Sequence, residues 1–151
     1  MFFEEHAKLL ADFARVSQAA GARADYVQGG GGNTSVKLPG GLMAIKASGF
    51  CLSDIHPDQA YAVLDGADLR NFYLTTEPSE LADVEKEGSA RAKADVRHID
   101  GLADLRPSVE AGFHSILKTF VVHTHSVYAN LAACSTACRP IAAQAFAGAN
   151  Y

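Results

Sequence analysis

The sequence predicts an α+β fold, and three patterns point to it: an amphipathic helix at the start, short strand-like runs broken by glycine-rich turns, and a helix-strand-helix succession towards the end. Phe3, Leu9, Leu10, Phe13, Ala14, Val16 and Ala20 recur at three- and four-residue intervals, which sets them on one stripe of a helix ending near Gly21. Gln28-Gly29-Gly30-Gly31-Gly32-Asn33 can neither continue a helix nor pack as a strand, because consecutive glycines cost backbone entropy and bring no side chain. It is a loop. Thr34 to Leu38 and Leu42 to Lys46 read as strands, and Pro39-Gly40-Gly41 joins them as a hairpin. Tyr61 to Leu64 and the run Asn71-Phe72-Tyr73-Leu74 look like further strands. Residues 79–96 are polar and mixed in charge, which suits a solvated helix or a mobile excursion more than a core element. From Ser108 to Phe120, Val109, Phe113, Ile116, Leu117 and Phe120 form a helical stripe that opens on Pro107-Ser108. A buried strand over Phe120 to His125 and a helix over Val127 to Cys134 follow. With no internal repeat and no linker, residues 1–151 are expected to form one domain.

Composition narrows the function. The chain has 151 residues, 48% of them hydrophobic and 20% charged, with 13 Lys+Arg against 17 Asp+Glu. A chain of that length buries roughly 68–70% of its unfolded surface, so it needs neither disulfide nor structural metal, and any metal it binds is expected to be functional. No Lys/Arg cluster offers the concentrated positive charge that a nucleic-acid groove or an anionic membrane surface requires. A small-molecule ligand or a protein partner is expected instead. Cys51, Cys134 and Cys138 cannot all pair within one chain, and the start Met1-Phe2-Phe3-Glu4-Glu5-His6 is acidic where a secretory signal is basic, which points to the cytoplasm. No apolar run approaches the ~18–20 residues that span a bilayer.

His123-Thr124-His125 is the most informative triplet. Alternate residues of a strand share a face about 6.6–6.8 Å apart, a span from which two imidazoles can converge on one zinc at ~2.0–2.1 Å. Two histidines alone leave open both a metal clamp and ordinary strand histidines. Glu110 falls in the first turn of the helix that runs into this strand. By spacing it is either a partner of the histidines or a carboxylate favoured by the positive end of its helix. His114, one turn on, reads as a satisfied helix histidine. Gly29 to Gly32 with Asn33, Thr34 and Ser35 offers crowded amides and small polar groups suited to an anion. The run matches no nucleotide-binding motif. Lys46-Ala47-Ser48-Gly49 adds a hydroxyl and an open amide at the end of the hairpin. Cys134 and Cys138 read as small core residues, and His6, His56 and His98 as histidines in polar surroundings without a role.

Taken in order, Gly31-Gly32-Asn33-Thr34-Ser35, Ile45-Lys46-Ala47-Ser48-Gly49, Arg106-Pro107-Ser108-Val109-Glu110, His114 and Val122-His123-Thr124-His125-Ser126 resemble the class II aldolase/adducin family, and most closely its zinc-dependent rhamnulose- and fuculose-1-phosphate aldolases. The resemblance implies a three-layer α/β/α domain with a mainly antiparallel sheet covered by helices. It implies a phosphate pocket lined by Gly32, Asn33, Ser48, Gly49 and Ser108, zinc or another divalent metal on His123 and His125, and Glu110 as the acid/base carboxylate. The implied reaction is reversible aldol cleavage of a ketose 1-phosphate to dihydroxyacetone phosphate and an aldehyde. A sugar-phosphate 4-epimerase is the nearest alternative, although those tend to carry Asp where Glu110 stands. A non-catalytic adducin-like assembly module is the other, although those usually lose the metal histidines. A small phosphorylated sugar as partner and a homo-oligomer, tetrameric by resemblance, follow. Val109 stands where the aldolases usually have a second serine. The family's third zinc histidine lies in a C-terminal region that the resemblance leads one to expect beyond this stretch.

Overall fold

The structure is a computed structural model that describes residues 1–149. Helix α1 (Phe2–Glu5) leads at His6 into α2 (Ala7–Gly21). Strands β1 (Asn33–Lys37) and β2 (Leu42–Lys46) form the expected hairpin, and β3 (Tyr61–Asp65) follows. Then come α3 (Gly66–Thr75), α4 (Val84–Ala94), α5 (Ala111–Ile116), β4 (Phe120–His123), α6 (Val127–Cys134) and α7 (Cys138–Ala145). The four strands make one sheet in the order β3-β2-β1-β4, and each neighbouring pair is antiparallel. The hairpin turn needs its glycines: Gly40 and Gly41 both have positive φ, at 73° and 81°, where a side chain would be strained.

Helices cover both faces, as a three-layer α/β/α domain requires. On one face α2 buries Leu10, Phe13 and Ala14 against Val36, Ala44, Tyr61 and Val63. On the other, Met43, Ile45 and Leu64 pack with Leu69 of α3, Ala92 of α4 and Ala111 of α5. The alternation of strand side chains separates the two cores, since Met43 and Ile45 point opposite to Ala44 on the same strand.

Several expectations are corrected. Asn71 to Leu74 lies in α3, not in a strand: Asp65 caps the helix by accepting from the Asp68 amide at 2.9 Å, and Leu69 is buried beneath the helix. A four-residue aromatic run is too short for periodicity to tell a helix from a strand. Residues 79–96 hold the mostly solvated helix α4, which differs from the expectation only in burying Gly88 and Ala92. The helix expected over 108–120 covers only Ala111–Ile116, because Leu117 turns extended and Thr119 already pairs with the Lys37 amide at 2.8 Å. Strand β4 stops at His123 and is the edge of the sheet, so Phe120 and Val122 stay exposed while Val121 is buried. Cys134 is exposed and Cys138 half-buried, because α6 and α7 bury none of their residues in either core. His6 is buried with its ring edge against Phe2 at 4.7 Å, rather than standing in polar surroundings. Among the described residues, no helix is long and apolar enough to cross a membrane. The expected domain end at Tyr151 lies outside the described residues.

Candidate metal centre and anion cradle

The centre forms where β1, β4 and the start of α5 meet. Antiparallel pairing sets Asn33 opposite His123, and Ser35 opposite Val121. Because alternate residues share a face, Asn33, Ser35 and Lys37 all turn towards α5. Each finds a partner there: Asn33 Nδ2 donates to Glu110 Oε2 at 2.7 Å, Ser35 Oγ meets His114 Nδ1 at 2.8 Å, and Lys37 Nζ donates to the His114 carbonyl at 2.6 Å. Glu110 is the N-cap residue of α5 but makes no cap hydrogen bond with its side chain. Its carboxylate is left for the site, where Ser108 Oγ stands 3.4 Å from Oε2 and His123 Nδ1 stands 3.0 Å from Oε1.

That last contact is short, yet His123 Nδ1 makes no hydrogen bond, because the carboxylate lies out of line with the ring N–H direction. Two further buried polar atoms nearby lack partners, Asn33 Oδ1 and His114 Nε2. Buried polar groups are nearly always satisfied, so these three atoms beside one carboxylate leave bonding capacity that a bound group could take up. The donor set suits a divalent metal. One ligand atom each from Glu110, His114 and His123 lies within 4.8 Å of the others, and imidazole with carboxylate is a donor set that zinc accepts. His123 is one of the trio. His125 lies beyond the end of β4, its ring centroid 5.0 Å from that of His123, adjacent to the converging trio rather than within it. The strand ends too early for simple alternation to aim both histidines, so the loop after His123 sets the position of His125.

His114 is only half satisfied, contrary to its reading as an ordinary helix histidine. It is fully buried, and burial first, then the charges of Lys37 and His123, pushes its pKa down to about 3, so the imidazole stays neutral. A neutral ring with one nitrogen tied to Ser35 leaves the other free to accept a metal or to donate to a ligand, according to its tautomer.

Beside the donors lies the glycine loop. Gly32 has φ of +73°, and a Cβ there would sit 2.9 Å from the His123 carbonyl oxygen. Only glycine lets this loop pass so close to the histidine strand. Lys46 ties the two candidate anion loops together, its Nζ donating to the Gly30 carbonyl at 3.3 Å and the Phe50 carbonyl at 2.7 Å. This lysine is 4% exposed and has no ion pair among the described residues. Burial lowers its pKa, with Glu110 as the largest opposing influence. A buried cation without a carboxylate is costly unless an anion joins it. Beyond β2, Ala47 bridges Pro107 in antiparallel sense and the Ser48 amide donates to the Arg106 carbonyl at 2.9 Å, which sets the turn at Ser48 and Gly49 against the segment that precedes Ser108. Of the expected residues, Gly32, Asn33, Ser108, Glu110 and His123 lie together, and Ser48 and Gly49 are joined to them through that segment.

Lys46 and His114 are the functional candidates that motif reading passed over. For Lys46 a signal existed: a lysine closing a strand of otherwise apolar residues occupies a position where lysines are almost never buried without purpose. For Ser35 and His114, 79 residues apart, local sequence holds no sign that they touch.

Comparison with known proteins places this geometry in context. The N-terminal class II aldolase domain of a conserved protein from Thermoplasma acidophilum superposes with a TM-score of 0.71 at 21% identity, over 89% of this chain and 62% of that one. YgbL from Klebsiella pneumoniae, a candidate aldolase/epimerase/decarboxylase, gives 0.57 at 19% identity over 87% and 50%. Its Escherichia coli counterpart gives 0.55 at 21% over 85% and 49%. The chain therefore spans about half to three-fifths of the length of these structures. No curated protein matches the sequence. The family model for the class II aldolase and adducin N-terminal domain matches residues 11–150, nearly the whole chain, and the protein belongs to that family.

Proposed function

We propose that this domain performs metal-dependent reversible aldol cleavage of a ketose 1-phosphate, giving dihydroxyacetone phosphate and an aldehyde. One observation carries the proposal: the Glu110 carboxylate is held by Asn33 and lies 3.0 Å from His123, among imidazoles that can take a divalent metal and beside a buried, unpaired Lys46. Zinc is the metal this reading names, with His123, His125 and His114 as the residues that would hold it and Glu110 kept for the proton. Bound there, the ion supplies Lewis-acid stabilisation of the negative charge that develops on the substrate oxygens.

The chain's own residues do the rest. Lys46, the amides of the Gly32 and Gly49 turns, and the hydroxyls of Ser48 and Ser108 bind the phosphate and fix the register of the carbon chain. In the cleavage direction the hydroxyl on the fourth carbon gives its proton to the Glu110 carboxylate, and the bond between the third and fourth carbons breaks. The aldehyde departs, and the electron pair stays with the three-carbon fragment. Glu110 delivers the proton to the carbon that lost the bond, and in the reverse direction it removes that proton. Asn33 and Ser108 orient the carboxylate for both. A phosphorylated sugar as substrate, a homo-oligomeric assembly and a cytoplasmic setting belong to the same reading.

Glu110→Gln tests it. The variant is expected to retain bound metal by elemental analysis while losing at least about 10²-fold in cleavage of ketose 1-phosphates, the range of a lost general acid/base. An unchanged rate removes Glu110 from the chemistry. A wild-type protein that epimerises the sugar without releasing aldehyde assigns the site to the 4-epimerase alternative, and one that neither binds metal nor turns over sugar phosphate supports the assembly-module alternative.

A further inference from the structure

We infer that Arg106, with Lys93 beside it, forms the cationic outer wall of the anion cradle and selects a doubly charged phosphate over a singly charged group. The inference rests on the phosphate reading of the site above and adds a residue to it. Arg106 Nη2 donates to Ser48 Oγ at 2.8 Å. A hydroxyl that accepts from a guanidinium directs its own proton elsewhere, so Arg106 turns Ser48 into an oriented donor aimed away from the arginine. The backbone holds this arrangement, since the Arg106 carbonyl takes the Ser48 amide and Pro107 bridges Ala47.

Charge pairing leaves both residues uncommitted. On this side of the molecule Arg91 pairs with Asp68 and Asp95, Arg97 with Asp65, and His98 with Asp100 and Asp104. Among the described residues, Lys93 and Arg106 have no carboxylate partner. Both line a cavity of about 220 Å³ whose other walls include Ser89, Pro107 and Ser108. The hydroxyl of Ser108 in turn stands 3.4 Å from Glu110. The cavity thus reaches a residue in contact with the candidate catalytic carboxylate, and its walls include two cations without a carboxylate partner among the described residues. Lys46 supplies positive charge from inside the fold and Arg106 from outside it. Lys46 binds the Phe50 carbonyl and Arg106 the Ser48 hydroxyl, so two charges engage the turn over 48–50, as a phosphate dianion requires. Guanidinium binding of phosphate is also geometrically specific in a way an ammonium is not.

The test uses the whole chain loaded with zinc and measures binding of inorganic phosphate and of dihydroxyacetone phosphate by titration calorimetry. Arg106→Gln is expected to weaken both by about ten- to a hundredfold, the range for a lost hydrogen bond to a charged group, with an unchanged melting temperature. Lys93→Gln is expected to weaken them less, and Arg106→Lys to recover part of the loss. Phosphate is also expected to protect Arg106 from modification by phenylglyoxal. Tight phosphate binding by the wild type that Arg106→Gln leaves intact overturns the inference and leaves the phosphate reading standing. A wild-type protein that binds neither probe overturns the phosphate reading itself, and this inference with it.

Discussion

The two faces of strand β1 are built from different chemistry although they alternate along five residues. Towards α2 the strand presents Thr34 and Val36 to a packed core containing Leu10, Phe13 and Tyr61. Towards α5 it presents Asn33, Ser35 and Lys37, each engaged with a polar group on or just before that helix. Both faces are buried, so burial is not what separates them. The first face lowers free energy by excluding water, and the second gathers polar atoms, some of them without a hydrogen-bond partner among the described residues. On the reading proposed above, stability is concentrated on one side of the strand and chemistry on the other.

Substitutions on the two faces should therefore have different signatures. The largest effect on stability is expected from Phe13→Ala, because the ring is 1% exposed and lies edge-on to Tyr61 at 5.7 Å. Loss of about 3–5 kcal/mol in denaturant unfolding is expected, with metal affinity of the folded fraction unchanged. If metal affinity falls in step, the faces are not separable. Gly32→Ala should cost about 1–3 kcal/mol from its left-handed backbone. Because its Cβ meets the His123 carbonyl, it should also weaken metal binding measured by competition with a chelator. Ser35→Ala should cost about 1–2 kcal/mol by leaving His114 Nδ1 unpaired in the interior, a loss that Thr34→Val on the opposite face should not reproduce in metal binding.

The smallest effect is a pH dependence. Burial, aided by the charge of Arg70, lowers the Lys37 pKa from its ordinary 10.5 to about 8. Between those values the unfolded chain binds more protons than the folded one, so stability should rise with pH across that window. With screening by solvent the rise amounts to about 1 kcal/mol. Tyr61 and Tyr73, whose hydroxyls burial pushes up, act in the opposite sense from about pH 10. The difference between wild type and Lys37→Met over pH 8 to 9.5 isolates the lysine, and parallel curves would mean that Lys37 is better solvated than its position indicates.

Much of the framework was legible in the sequence because its signals are local. The α2 stripe, the glycine-turned hairpin, β3 and α6 each declare themselves within about fifteen residues, a range in which periodicity and turn chemistry suffice. Misreadings arose where local and tertiary signals diverge. Phe72 and Tyr73 have strand-like propensity, yet the Asp65 cap starts a helix through them. The stripe from Val109 to Phe120 extends a helix on paper that pairing with β1 cuts short. Apolar α6 and α7 suggest a core for Cys134 and Cys138, but neither helix is packed into one. For the candidate site, motif order pointed to Glu110, His123 and the glycine loop, which the structure brings near one another. The contacts that give them purpose, Asn33 to Glu110 and Lys46 to Gly30 and Phe50, depend on how distant segments meet.

That distance has a kinetic consequence. Asn33 and Glu110 are separated by 77 positions along the chain, and the pairing of β1 with β4 is what draws their two regions together. Closing so long a loop costs entropy that early, local contacts do not repay. The β1–β2 hairpin and α2 can form without β4, whereas Glu110, His114 and His123 cannot converge until β4 docks. On the metal reading proposed above, uptake of the ion should therefore trail the appearance of secondary structure during refolding, so that the ion reports the last step of assembly rather than the first.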